Sequence, residues 1–116
     1  MKLLTAWVAL SAALALGPQA ASAQAADGAA VYKAHCAKCH GRDGVPPKFA
    51  MRRYKHLVSL ADPATLKGMS LDSTIVVITN GKGKDMKPFK DKLTKDEIAA
   101  VAKYVHSMAK PKKGGA

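Results

Sequence analysis

The feature that most constrains this chain is the pentapeptide Cys36-Ala37-Lys38-Cys39-His40. On a turn of helix, two cysteines with this spacing can each form a thioether to one vinyl group of a haem. The histidine that follows then lies beside the iron and supplies an imidazole nitrogen as an axial ligand. Because this pattern is the signature of c-type haem attachment, the sequence predicts one covalent haem c. Cys36 and Cys39 would hold it, and His40 would be its proximal axial ligand.

Two other uses of the cysteines are less consistent with the sequence. A thiol–disulfide pair of the thioredoxin type accompanies a βαβ pattern, and this chain has no such pattern. A zinc site needs four ligands, and Cys36 and Cys39 are the only cysteines. We therefore favour haem over both alternatives.

The first 23 residues have the features of a secretory signal peptide. Lys2 gives a positive start, residues 3–16 are apolar and uncharged, and Ala21-Ser22-Ala23 provides small residues before a cleavage site. The apolar run is shorter than the ~20 residues that span a membrane. We expect residues 1–23 to be removed, which leaves a soluble, periplasmic domain of residues 24–116.

The charge balance restricts the partners of this domain. The chain has 19 Lys and Arg residues against 8 Asp and Glu, a formal net charge of +11. A basic chain can bind nucleic acid, anionic membranes or acidic proteins. Export argues against nucleic acid, so we expect acidic protein partners and transient contact with membrane-bound enzymes.

Helix signals occur along most of the domain. Asp27 can cap a helix over residues 28–36, Asp62-Pro63 and Ser70 can begin two more, and Thr94 with Glu97 forms a capping box for a helix to about residue 109. A short helix is expected within residues 48–60. Residues 74–79 are β-branched and favour a strand by propensity. The Ser70 cap and the lack of a second strand favour helix instead.

These signals predict an all-α fold with four or five short helices and long loops. A chain of this size buries little apolar surface by itself. Long loops around so small a core indicate that a cofactor fills the middle of the domain. The prediction is one domain folded around a single covalently bound haem.

The second axial ligand of the iron has several candidates: Met86, Met69, Met51, His35, His56 and His106. His35 lies on the same turn as His40, and His106 lies beside the apolar stripe of the last helix. Met86 stands in a loop rich in Gly and Lys, where a methionine has no core to fill. Met86 is therefore the predicted distal ligand, in keeping with the Met/His pairs of such haems, and His56 stays an open alternative.

The chain resembles the class I c-type cytochromes, small monohaem proteins of bacterial periplasms. The resemblance lies at residues 27–32, 36–44, 78–81, 86–89 and 93–105. It implies the cytochrome c fold, in which the first and last helices cross, with Gly28 meeting Tyr104. The family usually has Met-Pro at the ligand, whereas Lys87 here stands between Met86 and Pro88. The stretch from Arg52 to His56 matches no pattern that we can assign.

The resemblance also implies a function. With both axial positions filled by protein, the iron would exchange single electrons with redox proteins, so the chain would be a monomeric carrier and not an enzyme. The lysines around the ligand loop would steer acidic partners toward it: Lys82, Lys84, Lys87, Lys90 and Lys92. Two alternatives are an electron-transfer subunit of a larger dehydrogenase or oxidase, and a haem sensor or catalyst with a labile sixth ligand.

Overall fold

Six helices make up the regular structure of residues 25–109, the part of the chain that the computed structural model describes. They are α1 (Gly28–His35), α2 (Ala37–His40), α3 (Lys48–Arg53), α4 (Pro63–Leu66), α5 (Leu71–Asn80) and α6 (Lys95–Met108). Within that range the one β-type pairing is an isolated antiparallel bridge between Lys82 and Met86. The all-α prediction is confirmed, while the predicted signal peptide, residues 1–23, lies outside the described residues.

The predicted helix starts are confirmed by their capping hydrogen bonds. The Asp27 carboxylate accepts the N–H groups of Ala29 and Ala30 at 3.0 and 3.3 Å, and Ser70 accepts the N–H of the third residue after it at 3.0 Å. Thr94 and Glu97 form a reciprocal capping box, with bonds of 3.0 and 3.1 Å. Each cap satisfies donors that the first helical turn cannot satisfy itself.

Helix α5 forms despite its run of β-branched residues. Two threonine hydroxyls donate to carbonyls one turn earlier, Thr79 to Ile75 at 2.7 Å and Thr74 to Ser70 at 3.2 Å. Thr74 and Ile78 are buried, and α5 packs against α6. Burial against a neighbouring helix thus overrides a weak strand propensity.

The crossing of α1 and α6 forms the centre of the core. A Cβ atom on Gly28 would overlap the Ala100 carbonyl and lie 3.1 Å from Cβ of Tyr104, so only glycine allows this approach. The rings of Tyr32 and Tyr104 pack at 5.3 Å between centroids. The expected meeting of Gly28 with Tyr104 is therefore confirmed. The buried cluster consists of Val31, Tyr32, Ile78, Leu93, Ile98, Val101, Ala102 and Val105.

The structure differs from the predicted elements between residues 36 and 61. The first helix is interrupted at Cys36, whose φ of −118° separates α1 from the single turn of α2. The short helix expected within residues 48–60 is α3, which ends at Arg53. The following segment is a loop because Gly44 anchors it, accepting the N–H of Leu60 at 2.8 Å and the hydroxyl of Ser59 at 3.3 Å. The break at Cys36 brings the helix count to six, above the four or five predicted.

Candidate haem site

The haem-attachment motif forms one tight turn of helix. The N–H groups of Cys39 and His40 both donate to the carbonyl of Cys36, at 3.2 and 2.9 Å. Gly41 then ends α2 with a φ of +82°, which glycine adopts without strain. Residues three apart on a helix share one face, so both thiols are offered from the same side. Both cysteines are free and half-buried.

The environment of Cys36 does not suit thiol–disulfide exchange. Burial raises the pKa of its thiol to about 11, and the neighbouring Cys39 adds a smaller Coulombic contribution in the same direction. Exchange requires a thiolate, which reactive cysteines obtain through a lowered pKa. Within residues 25–109, moreover, no three His, Cys, Asp or Glu side chains come together as a metal cluster. The geometry therefore disfavours both alternatives to haem attachment.

His40 has the properties of an axial ligand. Its side chain is half-buried, and its Nδ1 atom is buried without a hydrogen-bond partner in the described part of the chain. Burial lowers the pKa of the imidazole below its ordinary value, so the ring is neutral at neutral pH. Neutral imidazole is the form that binds metals. A buried imidazole with an unused nitrogen fits the iron that this motif predicts.

Tyr32 fixes the backbone directly after His40. Its hydroxyl donates to the Gly41 carbonyl at 2.6 Å in a buried hydrogen bond. Burial, with smaller contributions from Cys36, Tyr104 and Asp43, raises the pKa of this phenol, so it keeps its proton. This role of Tyr32 was not predicted from the sequence. On the first predicted helix Tyr32 supplies apolar surface, and no sequence signal identifies a hydrogen-bond partner nine residues away.

The loop that carries Met86 is folded back on itself rather than extended. The N–H of Lys82 donates to the Met86 carbonyl at 2.9 Å, and the N–H of Met86 donates to the Lys82 carbonyl at 3.3 Å. Gly81 makes this fold-back sterically feasible. A Cβ atom there would overlap the Met86 carbonyl and lie 2.8 Å from the nitrogen of Pro88, and the φ of +76° also favours glycine.

The far end of the same loop is tied to the last turn of α5. Phe89 and Lys90 donate their N–H groups to the carbonyls of Ile78 and Thr79, at 3.1 and 3.2 Å. The ring of Phe89 meets the ring of His35 edge-on, with 6.0 Å between centroids. Since His35 immediately precedes Cys36, this contact brings the Met86 loop alongside the haem-attachment turn.

Met86 itself is half-buried and packs against the central core. The premise that a methionine in this loop has no core to fill is therefore wrong, because the backbone bonds fold the loop inward. The other methionine candidates differ in exposure. Met51 is 47 % exposed on α3, and Met69 is half-buried in the turn before α5.

The histidine candidates for the distal ligand differ in their contacts. The Nε2 atom of His106 lies 2.7 Å from Oγ1 of Thr74 and joins α5 to α6, so this nitrogen is already engaged. His35 is exposed against Phe89. His56 is exposed and lines a cleft whose other wall is the Met86 loop.

The apolar surface between these elements suits a large flat cofactor. Several apolar side chains touch the core yet stay half-exposed, among them Cys36, Leu60, Leu66, Leu71, Ile75, Met86 and Phe89. Val45 and Val58, 58 % and 54 % exposed, lie within the loop that Gly44 closes. Covering such a surface is favourable by about 25 cal/mol per Å². These residues fit haem, which supplies an iron able to change between Fe(II) and Fe(III).

Comparison with known proteins also indicates a haem protein. The family model described as Cytochrome C oxidase, cbb3-type, subunit III matches residues 23–105. The chain is 38 % identical to a chloroplastic cytochrome c6 of Chlamydomonas reinhardtii, over 91 % of this chain and 71 % of that protein. It is 37 % identical to a cytochrome c6 of Rippkaea orientalis, over 84 % of this chain and 82 % of that protein.

A solved structure supports the fold independently of these sequence matches. The KustC0563 c-type cytochrome superposes with a TM-score of 0.65 at 33 % identity, and the match covers 72 % of this chain and 99 % of that one. Fold, attachment motif and relatives agree. The chain belongs to the class I c-type cytochromes, small electron-transfer proteins with a single covalently bound haem c.

Proposed function

We propose that this cytochrome is a one-electron carrier whose haem is held by Cys36 and Cys39 and whose iron is ligated by His40 and Met86. The main observation in support is the position of the Met86 loop. Backbone hydrogen bonds fold this loop back, and the Phe89–His35 contact packs it beside the attachment turn. Two protein ligands leave the iron no open position for substrate, so the protein is not an enzyme. A methionine ligand raises the reduction potential and thereby favours the reduced state.

The far-red absorption band of an Fe(III)–methionine bond tests this ligation. The oxidised protein is expected to show the band, and Met86→Ala is expected to lose it and to lower the reduction potential. Met69→Ala is the matched control, because Met69 is also half-buried, and His56→Ala tests the remaining alternative. A band that survives Met86→Ala, or one that disappears with His56→Ala, would show that the ligand assignment is wrong.

The folded-back Met86 loop is also evidence against a labile sixth ligand. A haem sensor or catalyst would need such a ligand. Four backbone hydrogen bonds hold residues 82–90 in place, so ligand release would require breaking local structure. We expect the reduced protein not to bind carbon monoxide near neutral pH. Ready binding would favour the sensor or catalyst instead.

The lysines of the loop support a role in partner recognition. Lys82, Lys84, Lys87, Lys90 and Lys92 are all exposed. A positive surface speeds encounter with an acidic partner, and salt screens that effect. We therefore expect the rate of electron exchange with the physiological partner to fall as ionic strength rises. A rate that does not change with salt would contradict steering.

We further propose export to the periplasm with removal of residues 1–23, leaving residues 24–116 as the domain. In residues 25–109 no helix is long and apolar enough to cross a membrane. The signal-peptide features of residues 1–23 support cleavage after Ala23. Mass spectrometry of the protein from its native source tests it, and a mature chain that begins elsewhere would refute this boundary.

A second candidate function comes from the matched family model, whose name is that of an oxidase subunit. The cytochrome would then transfer electrons inside a larger complex rather than diffuse as a free monomer. Gel filtration of native periplasmic and membrane extracts distinguishes the two. We expect the haem signal at the size of a monomer, and co-elution with a large membrane complex would favour the subunit.

A further inference from the structure

We propose that Tyr32 is a positioning residue for the haem iron, because its hydroxyl fixes the backbone that orients the His40 imidazole and thereby helps to set the reduction potential. The inference rests on the proposed ligation of the iron by His40. It goes beyond that ligation, since Tyr32 lies outside the attachment motif, on helix α1. A core side chain of the frame would thus act on the iron through its ligand.

The imidazole of His40 lacks the hydrogen bond that usually orients a ligating histidine. Such histidines donate their second ring N–H to a carboxylate or a carbonyl, and this bond fixes the ring and tunes the metal. With Nε2 on the iron, Nδ1 would make this bond, yet Nδ1 is buried without a partner in residues 25–109. The orientation of the ring therefore depends on the backbone before and after His40.

The backbone before His40 is held by its own turn of helix. The carbonyl of Cys36 accepts the N–H of His40 at 2.9 Å, and the carbonyl of Ala37 accepts the N–H of Gly41 at 2.8 Å. After His40 the helix ends, because Gly41 has a φ of +82°. The chain that follows needs a contact from outside α2 to hold it.

Tyr32 supplies this contact. Its hydroxyl donates to the Gly41 carbonyl at 2.6 Å, and the N–H of Gly44 donates to the same oxygen at 3.2 Å. The shorter of the two bonds comes from a buried side chain whose ring packs against that of Tyr104. The position of the Gly41 carbonyl is therefore set by the packed crossing of α1 and α6, and not by the turn alone.

The orientation of the imidazole affects the balance between Fe(II) and Fe(III). Hydrogen bonding around the axial ligands is one of the ways in which a protein tunes a haem. An imidazole donates electron density, which stabilises the more highly charged Fe(III) more than Fe(II). A less well aligned ring donates less, so loss of the Tyr32 hydroxyl should raise the potential. Loss of the proposed ligand Met86 should lower it, which makes the two effects distinguishable.

The test compares Tyr32→Phe with the matched control Tyr104→Phe in the haem-loaded protein. Each variant loses one hydroxyl and keeps its aromatic ring, but only the Tyr32 hydroxyl binds Gly41. Voltammetry is expected to show a higher potential in Tyr32→Phe, equivalent to a rise of up to about fivefold in the Fe(II)-to-Fe(III) ratio, the limit set by one ordinary hydrogen bond. Tyr104→Phe is expected to leave the potential unchanged.

Nuclear magnetic resonance of the oxidised protein gives a second readout, which a purely structural role would not change. The paramagnetic shifts of the haem methyl signals depend on the orientation of the axial imidazole. Their spacing is expected to change in Tyr32→Phe and to stay the same in Tyr104→Phe. The far-red methionine band is expected in both variants, because the Met86 loop is held by carbonyls of α5.

Three outcomes would overturn the proposal. Wild-type potential and methyl shifts in Tyr32→Phe would show that the hydroxyl does not act on the ligand. Equal changes in both variants would assign the effect to packing of the two rings. A lowered potential with loss of the far-red band would place the effect at Met86 instead of His40. The proposed ligation fails separately, if the wild-type protein shows no methyl signals of a low-spin, histidine-ligated haem.

Discussion

The two halves of this cytochrome are held together by different forces. The frame of α1, α5 and α6 contains the two largest fully buried side chains, Tyr32 at 1 % and Val101 at 0 % exposure. The ligand half, residues 41–70 and 81–93, is named for the proposed ligand Met86; its apolar groups are mostly half-buried, and it is fixed by backbone hydrogen bonds such as those of Gly44 and Phe89. We therefore expect the frame to be stabilised by its own burial and the ligand half to depend on the cofactor.

Removal of the haem tests this difference most severely. In Cys36→Ser/Cys39→Ser, covalent haem should be absent from a denaturing gel stained for peroxidase activity. Amide exchange should become much faster at Leu60 and Phe89 than at Val31 and Val101, because only the frame retains side-chain burial. Equal acceleration in both halves would show that the frame also depends on haem.

The tight crossing of α1 and α6 gives the largest effect within the frame. Gly28→Val would drive a side chain into the Ala100 carbonyl, and overpacking at such a contact costs about 1–3 kcal/mol or more. Denaturant unfolding of the haem-loaded protein measures the loss. Ala29→Val, at the exposed neighbouring position, is the control and should cost less than about 1 kcal/mol. Similar losses for the two variants would contradict a close crossing.

The fold-back at Gly81 should affect the ligand half selectively. Gly81→Ala adds a Cβ that overlaps the Met86 carbonyl, so we expect the far-red Fe(III)–methionine band to weaken or vanish. Gly68→Ala is a close control, because Gly68 has nearly the same φ, +77° against +76°, with no atom within 4 Å of its Cβ. Gly68→Ala therefore has in common with Gly81→Ala only the strain of an alanine in the left-handed conformation, about 1–2 kcal/mol. A band unaffected by Gly81→Ala would show that this glycine does not position Met86.

A smaller effect is expected at the junction of the two halves. Tyr32→Phe removes the hydrogen bond to the Gly41 carbonyl, which then keeps only the N–H of Gly44 at 3.2 Å, so the expected cost is about 0.5–1.5 kcal/mol in the free energy of unfolding. Tyr104→Phe, in the packed partner ring, should cost less. A larger loss of unfolding free energy in Tyr104→Phe than in Tyr32→Phe would show that the Tyr32 hydrogen bond does not join the two halves.

The same phenol predicts a dependence on alkaline pH. Burial raises the pKa of Tyr32 in the folded protein, while an unfolded tyrosine ionises near its ordinary value of about 10. Above that value the unfolded state binds fewer protons, so stability falls as pH rises. Tyr32→Phe should reduce this decline, measured as unfolding free energy from neutral to alkaline pH. If stability declines equally in Tyr32→Phe and in the wild-type protein, the decline comes from other titrating groups.

The helix starts were predictable because their causes are local. Asp27, Ser70 and Thr94 each cap a helix through bonds to residues two or three positions away. The bounds of helix α3 were less predictable, since the loop after it is held by Gly44, which lies 15 and 16 residues before its partners Ser59 and Leu60. The inward fold of the Met86 loop was also not predicted. The groups that hold it in place are carbonyls of α5, outside the loop itself.

By itself, the sequence determined the covalent haem as cofactor, the helix starts at their caps and the all-α class, because each follows from residues close together in the chain. The tertiary structure alone decided which groups meet across the chain. It joined Tyr32 to the backbone after the haem motif, folded Met86 beside that motif, and brought residues 53–56 against two loop lysines. The physical reason is that these contacts depend on helix packing and close backbone approach. The pentapeptide thus specifies a haem, while the fold determines what surrounds it.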